Sequence, residues 1–234
     1  MLSITRGRIK KPLRVIVYGP EGIGKSTFAA QFPRAVFIDT EGSTNCMDVT
    51  RLETPKDWSV FLTELAAVKQ HPDELGTLVI DTADWAVRLC EEFVCKRYGK
   101  AGIEDFGYGK GYVYAKEEWT KALDMMTDII DLGVNVVLTA HSVIRKFEKP
   151  EETGAYDRYE LKMGTKAGSA IAALCKEWCD VLLFANYKEI VVEVNGKKKA
   201  QGGSRVMYTC HAPAWDAKNR LGMPPELPFD FAQI

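Results

Sequence analysis

The most informative stretch of the chain reads Val15-Ile-Val-Tyr-Gly-Pro-Glu-Gly-Ile-Gly-Lys-Ser-Thr27. A run of apolar, mostly β-branched residues enters a glycine-rich turn, which ends in Lys-Ser-Thr ahead of a segment that favours a helix. This is the G-x-x-x-x-G-K-S/T pattern in a strand–loop–helix context. It predicts a loop that wraps around a polyphosphate, because backbone N–H groups and a helix N-terminus both attract anions.

Individual positions of this loop have separate chemical tasks. Glycines let the backbone approach the phosphates closely. Lys25 is expected to reach the β- and γ-phosphates, and the Ser26 hydroxyl is expected to bind Mg²⁺. The residues predicted to bind the nucleotide are Gly19, Pro20, Glu21, Gly22, Ile23, Gly24, Lys25, Ser26 and Thr27.

Length and composition are ordinary for a globular protein. The 234 residues carry a net charge of -1, so the overall charge does not indicate a nucleic-acid-binding protein, and any such binding needs local patches or assembly. No apolar run has the length of a membrane span, and the basic N-terminus lacks the apolar core of a signal peptide. We therefore expect a cytoplasmic protein that has no contact with a membrane.

The cysteines raise the question of a metal. There is no C-x-x-C pair, although Cys175 and Cys179 would share a helix face and Cys210 adjoins His211. Scattered reduced thiols are the favoured interpretation, and a structural zinc is the alternative.

Apolar strands alternate with helices through residue 140, and a β-rich portion follows. This order predicts an α/β fold with a mostly parallel, doubly wound sheet and antiparallel strands at its C-terminal edge. We expect one domain over residues 1–234, with a basic lead-in over 1–12. A β-hairpin with an Asn195-Gly196 turn and an extended tail would occupy 187–234.

Several local expectations follow from residue patterns. A helix should run over 27–32 until Pro33, and another should begin with Thr54 as its cap. The helix over 82–98 should bury Trp85, and the glycine-rich segment 99–111 should lack regular structure. The segment 145–166 is polar, and its side chains show no periodicity.

Ligands of such sheets bind at the C-terminal ends of the strands. Asp81 ends the third strand and is the predicted partner of Mg²⁺; a helix cap is the alternative. Asp39 and Glu41 follow the second strand, and Glu41 is the preferred carboxylate for activating water because it lies farther past the strand, beside Gly42.

His141 follows the fourth strand and could hydrogen-bond the γ-phosphate, although a lone histidine at a strand end is often structural. The acids of the helix after Asp81 are expected to be surface or capping charges. These acids are Asp84, Glu91 and Glu92.

Two segments combine aromatic and basic side chains. Residues 99–114 carry tyrosines and lysines among glycines, and residues 145–166 carry six basic and three aromatic residues. Cations with stacking aromatics are typical of single-stranded nucleic-acid binding. The acids of the second segment leave a solvated polar loop as the alternative.

The order of these motifs resembles that of the RecA-type recombination ATPases. The chain presents the P-loop, then Phe37-Ile-Asp-Thr-Glu41, Leu78-Val-Ile-Asp81, a first flexible loop, and Val136-Val-Leu-Thr-Ala-His141. In that family the last strand ends in a polar residue, commonly glutamine, which senses the γ-phosphate and leads into a second DNA-binding loop. His141 stands at that position here. The ending from Trp215 is similar to that of the short phage-encoded members, which include nucleotide-binding and single-strand-annealing ATPases.

The resemblance implies a Mg²⁺-dependent ATPase, stimulated by DNA, that assembles as a filament or ring on single-stranded DNA. Lys25, Glu41 and His141 would then be catalytic, and Ser26 and Asp81 would hold the metal. In such assemblies a neighbouring subunit supplies cations, for which Lys218 and Arg220 are the candidates. A single-strand-binding protein would be a further partner, and the host-cell cytoplasm the location.

Two other functions remain open at this point. A P-loop kinase would phosphorylate a small molecule and use residues 145–166 as a basic lid. A non-catalytic ATP-dependent module would serve a replication or packaging complex without needing Glu41 as a base.

Overall fold

The computed structural model describes residues 2–7, 9–148, 154–164, 170–194 and 197–234. These residues form one ten-stranded sheet with helices on both faces. The strands are β1 (Arg14–Gly19), β2 (Ala35–Asp39), β3 (Thr50–Arg51), β4 (Thr77–Asp81), β5 (Asn135–Phe147), β6 (Tyr156–Leu161), β7 (Val181–Val194), β8 (Lys197–Tyr208), β9 (Lys218–Asn219) and β10 (Glu226–Pro228). The α-helices are α1 (Lys25–Ala29), α2 (Trp58–Gln70), α3 (Ala83–Arg97), α4 (Lys110–Asp131) and α5 (Ala170–Trp178).

The main sheet has the order β10-β8-β7-β1-β5-β4-β2-β3. The strands from β7 to β3 in this order pair in parallel, whereas β8 and β10 add antiparallel strands at the C-terminal edge. The predicted mixed α/β sheet is confirmed. Since the parallel strands run to the same edge, the loops after β1, β2 and β4 meet there beside His141 of β5, which pairs with Gly19.

The two faces of the sheet bury alternate residues of each strand. In β1, Ile16 and Tyr18 face a core made with α2 to α5, while Val15 and Val17 face a core made with α1 and the C-terminal tail. Both cores lack water access along the central strands, which explains why these strands are apolar on both faces.

The segment 145–166, whose side chains show no periodicity, contains regular structure, and the solvated polar loop that was the alternative is not what most of its described residues form. β5 continues beyond the main sheet to Phe147 and pairs antiparallel with β6, from Ser142 opposite Leu161 to Phe147 opposite Tyr156. The hairpin forms because residues of two separate stretches pair with each other. Side-chain periodicity within one stretch does not predict such pairing. Lys149, Glu151, Glu152 and Lys166 of the predicted DNA-binding segment lie outside the described residues.

The glycine-rich segment is also more ordered than expected. A 3₁₀ helix spans Ile103–Phe106, and α4 begins at Lys110, inside the segment that was expected to lack regular structure. Gly107 and Gly109 adopt positive φ angles of 67° and 70°, so the glycines shape the turn between these two elements instead of preventing them.

Three helix details differ from expectation. α1 ends at Ala29, and hydrogen-bonded turns continue to Phe32. Asp57 caps α2 in place of Thr54, because its carboxylate accepts hydrogen bonds from the N–H groups of Ser59 and Val60. Trp85 lies exposed with Arg88 stacked on it at 4.2 Å.

The C-terminal portion is built onto the sheet. β7 is a single 14-residue strand that pairs with β8, and the predicted Asn195-Gly196 turn lies outside the described residues. The tail contributes β9 and β10 to the sheet, and Phe229 then stacks on Phe28 of α1 at 4.7 Å. In the part of the chain that is described, no helix is both long and apolar enough to cross a membrane.

Candidate functional site

The loop between β1 and α1 has the backbone of a phosphate cradle. Gly22 and Gly24 adopt positive φ angles of 73° and 104°, which side chains other than glycine rarely tolerate. Gly19 is required for space, because a Cβ there would lie 2.2 Å from the carbonyl oxygen of Ala185 in β7. The loop then opens directly into α1, whose first residue is Lys25.

Lys25 is folded back over the loop. Its Nζ donates hydrogen bonds to the carbonyl oxygens of Gly19 at 3.2 Å and Pro20 at 3.0 Å, and the side chain is 6% exposed. Burial lowers the pKa of the ammonium group, and the negative charges of Asp84, Asp81 and Glu41 oppose that shift. An anion entering the cradle therefore meets a partly desolvated cation.

Asp81 lies at the end of β4, fully buried. One carboxylate oxygen accepts a hydrogen bond from the Thr139 hydroxyl, and the other accepts one from the Ser43 hydroxyl at 3.1 Å. Thr82 occupies the N-cap position of α3, so the cap alternative for Asp81 has no support in this geometry. Hydrogen bonds from Thr139 of β5 and from Ser43, which follows β2, instead orient the Asp81 carboxylate.

The two acids after β2 have different environments. Asp39 accepts hydrogen bonds from the N–H groups of Glu41, Gly42 and Ser43, and from both the N–H and the hydroxyl of Thr44. Burial alone would raise the pKa of Asp39, but these hydrogen bonds outweigh it and lower the pKa. Asp39 thus shapes the loop that carries Glu41.

Glu41 remains available for chemistry. Among the described residues, the hydrogen-bonding partner of its carboxylate is the Thr82 hydroxyl at 3.5 Å, which is too long to hold the carboxylate firmly. Although much of the side chain is exposed, partial burial of the carboxyl group raises its pKa, and the nearby Asp84 and Asp81 act in the same direction. A raised pKa suits a carboxylate that accepts a proton.

His141 is held by an aspartate that was wrongly predicted to be a surface or capping charge. Asp84 is buried in the first turn of α3, and its Oδ2 lies 2.9 Å from Nδ1 of His141. Its Oδ1 accepts a hydrogen bond from the backbone N–H of His141 at 3.2 Å. Burial would raise the pKa of Asp84, but these bonds to His141 outweigh it and lower that pKa.

A single cleft of about 470 Å³ joins these residues. Its walls come from the loop after β1 and from the ends of the neighbouring strands. The lining residues are Glu21, Gly22, Gly24, Lys25, Ser26, Thr27, Glu41, Ser43, Met47, Thr82 and His141.

The oxygen donors at this cleft fit a magnesium ion. Ser26 lines it, and the buried Asp81 carboxylate, which Ser43 and Thr139 orient, lies behind it close enough to raise the pKa of Lys25. Hydroxyl, carboxylate and phosphate oxygens are the hard ligands that Mg²⁺ prefers. Sequence reasoning missed the orienting hydroxyls of Ser43 and Thr139, since small polar residues at strand ends carry no distinctive signal.

The cysteines contribute no comparable site. All six are free thiols, and four of them are buried. Among the described residues, no three His, Cys, Asp or Glu side chains come close enough together to hold a metal ion.

Lys218 and Arg220 lie away from this cleft and have partners within the chain. Lys218 donates to the carbonyl oxygens of Lys176, Glu177 and Cys179 at the end of α5. Arg220 pairs with Asp180 at 2.8 Å, at the start of β7. Their action in a neighbouring subunit stays a prediction.

Comparison with known proteins agrees with this geometry. A family model described as an AAA domain matches residues 11–221. The sequence matches no curated protein significantly. The KaiC-like protein PH0186 from the hyperthermophilic archaeon Pyrococcus horikoshii OT3 is a similar solved structure, with 15% identity, 85% of this chain and 78% of that chain covered, and a TM-score of 0.43. Because the family model spans most of the chain and includes the phosphate-binding loop, the chain belongs to this AAA domain family of P-loop ATPases.

Proposed function

We propose that this protein hydrolyses ATP with Mg²⁺ and uses the cycle to control its grip on single-stranded DNA, as a phage-encoded RecA-type ATPase of recombination or annealing. The observation that carries the proposal is the course of β5. This strand pairs with β1 in the core, presents His141 in the cleft, and continues without a break into the hairpin with β6.

The cleft residues divide the hydrolytic work. Lys25 and the loop N–H groups bind the β- and γ-phosphates, and Ser26 and Asp81 hold the metal, which neutralises phosphate charge when bound. Glu41 orients and deprotonates the attacking water. His141 directs the proton on Nδ1 to Asp84, and in its imidazolium form it donates a second hydrogen bond from Nε2 to the γ-phosphate.

The β5–β6 hairpin has the side chains that a nucleic-acid strand needs. A cleft of about 300 Å³ beside it is lined by residues that include Arg145, Lys146, Phe147, Glu160 and Lys176, and Arg145 pairs with Glu160 at 2.6 Å. Arg158 lies over the Phe147 ring at 5.0 Å and is buried in an ion pair with Asp216, so it orients the ring, while Lys146 is the exposed cation beside it. Cations beside stacking surfaces favour single strands over duplexes.

The turn before α4 offers a second aromatic group. Tyr108 is fully exposed, and Tyr98 stacks on Tyr114 at 4.9 Å. We propose that bases stack on these rings as well as on the aromatic side chains of the hairpin.

ATP hydrolysis measured with and without single-stranded DNA tests the function. We expect stimulation by single strands and less by duplex DNA. Stimulation by neither, with turnover that depends on a small acceptor molecule, would replace the proposal with a P-loop kinase. Binding of ATP without turnover would favour a non-catalytic module of a replication complex.

The proposed assembly has its own test. Mass measurement should show a filament or ring on single strands, and a single-strand-binding protein could modulate it. If Arg220 or Lys218 acts in a neighbour's site, mixing Lys25→Ala subunits with Arg220→Ala or Lys218→Met subunits should restore hydrolysis. An inactive mixture would show that neither Arg220 nor Lys218 acts in the site of a neighbouring subunit.

A further inference from the structure

The phosphate-binding loop is contacted from outside by a pair of residues that face each other across the β7–β8 hairpin. Tyr187 of β7 lies directly opposite Arg205 of β8 in the pairing register. The Tyr187 hydroxyl donates to the carbonyl oxygen of Gly22 at 3.3 Å. Arg205 Nη1 donates to the carbonyl oxygen of Ile23, also at 3.3 Å. Two consecutive carbonyl groups of the loop are therefore tied to one hairpin.

These contacts have a geometric consequence for the inside of the loop. A trans peptide unit is planar, with its C=O and N–H groups pointing in opposite directions. Fixing the Gly22 carbonyl toward the hairpin turns the N–H of Ile23 away from it, and fixing the Ile23 carbonyl does the same for the N–H of Gly24. Neither of these N–H groups has an acceptor among the residues that the structure describes.

The packing around the loop is consistent with a support of this kind. Arg205 Nη1 lies 2.9 Å from the position that a Cβ on Gly24 would occupy, so the guanidinium group touches the loop at a residue whose φ of 104° favours glycine. Two residues before Tyr187 on β7, Ala185 packs closely against Gly19. β7 and β8 thus flank the loop from its first glycine to its last.

We propose that Tyr187 and Arg205 are positioning residues of the phosphate site: from outside the loop, they hold two of its peptide units so that the N–H groups of Ile23 and Gly24 converge on the bound polyphosphate. The inference rests on the proposed function of the loop and assigns a task to the C-terminal hairpin. Neither side chain touches the reacting atoms, and their effect is carried by the backbone that they orient.

The chemistry predicts a specific kinetic signature. Loss of one tether loosens phosphate binding but leaves Glu41 and His141, which lie on other strands, in place. For Arg205→Ala we expect the KM for ATP to rise about three- to tenfold, the cost of one hydrogen bond, with kcat within about twofold of wild type. Tyr187→Phe should act in the same direction, and Arg205→Lys should recover part of the loss.

The decisive experiment compares the binding of ATP and of inorganic tripolyphosphate by calorimetry. Since the tethers act on phosphate, Arg205→Ala should weaken both ligands by the same factor. The matched control is Lys188→Ala, because Lys188 neighbours Tyr187 on the hairpin but pairs with Glu226 at 2.5 Å; it should bind as wild type does.

Two results would overturn the inference. If Arg205→Ala and Tyr187→Phe both bind ATP and tripolyphosphate as wild type does, these two hydrogen bonds do not position the loop. Weaker binding of ATP with unchanged tripolyphosphate binding would assign Arg205 to the nucleoside, through the cleft of about 180 Å³ that it lines with Gln31 and Asp230. If the proposed function itself fails, Lys25→Ala will bind ATP and tripolyphosphate as tightly as wild type does. That result distinguishes a failed function from a failed inference about Tyr187 and Arg205. Because Tyr187→Phe removes a single oxygen atom, it tests the proposal even if Arg205→Ala does not fold.

Discussion

Nδ1 of His141 lies 2.9 Å from Oδ2 of Asp84, and the same carboxylate accepts the backbone N–H of His141 through its other oxygen. The buried Asp84 carboxylate on α3 therefore fixes both the ring orientation and the backbone position of His141, which follows the core part of β5. The carboxylate accepts only, so Nδ1 carries the proton and the tautomer is defined.

Asp84→Asn should impair turnover more than it impairs folding. The amide can still accept a hydrogen bond from Nδ1, but the charge is lost, so we expect kcat to fall about 10- to 100-fold. Steady-state phosphate release measures this effect, with the exposed Glu92→Gln on the same helix as the control. Equal rates for the two variants would show that His141 needs no ionised partner.

Lys25→Ala should abolish ATP binding while leaving the fold intact. The ammonium group bonds only loop carbonyls in the described structure, so its removal exposes them to water without opening the core. Calorimetry with ATP and circular dichroism measure the two expectations separately. Hydrolysis at the wild-type rate would show that the loop is not the nucleotide site.

Glu64→Gln should change how stability depends on pH. Glu64 is buried on α2, neither carboxylate oxygen has a hydrogen-bond partner among the described residues, and burial together with the nearby Glu53 raises its pKa to about 7. The folded state then holds this proton more tightly than the unfolded state, so stability falls as pH rises from about 4.5 to about 7.

The size of this effect is measurable by urea unfolding at pH 5 and pH 8. Between these values, wild type should lose about 2 kcal/mol relative to Glu64→Gln. The exposed Glu53→Gln, which removes only a nearby charge, should shift the profile by much less. Parallel profiles for wild type and Glu64→Gln would mean that Glu64 is ionised in the folded protein.

Lys218→Met should destabilise the protein through α5. The ammonium group donates to three carbonyl oxygens at the helix C-terminus, where no further helical N–H is available and a positive charge is favourable. We expect the free energy of unfolding to fall by about 1–2 kcal/mol. Denaturant unfolding measures the change, with Lys56→Met on the surface as the control. An unchanged denaturation midpoint would show that water satisfies the three carbonyl groups as well as Lys218 does.

Much of the site was predictable because parallel strands end at one edge of a sheet. Lys25, Glu41 and His141 line one cleft for that reason, and the buried Asp81 lies behind it. Asp84 was not predictable, since a charged residue in the first turn of a helix has the pattern of a cap and its partner is 57 residues away. The β5–β6 hairpin and the Tyr187–Arg205 pair depend equally on long-range pairing.

The most direct test of the central claim is phosphate release by Glu41→Gln in the presence of single-stranded DNA. The amide keeps the size of the side chain but cannot accept the proton of the attacking water. We expect ATP binding to match that of wild type and the rate of phosphate release to fall at least about 100-fold. Release at the wild-type rate would contradict the account, because the cleft would then hydrolyse ATP without the carboxylate assigned to the attacking water.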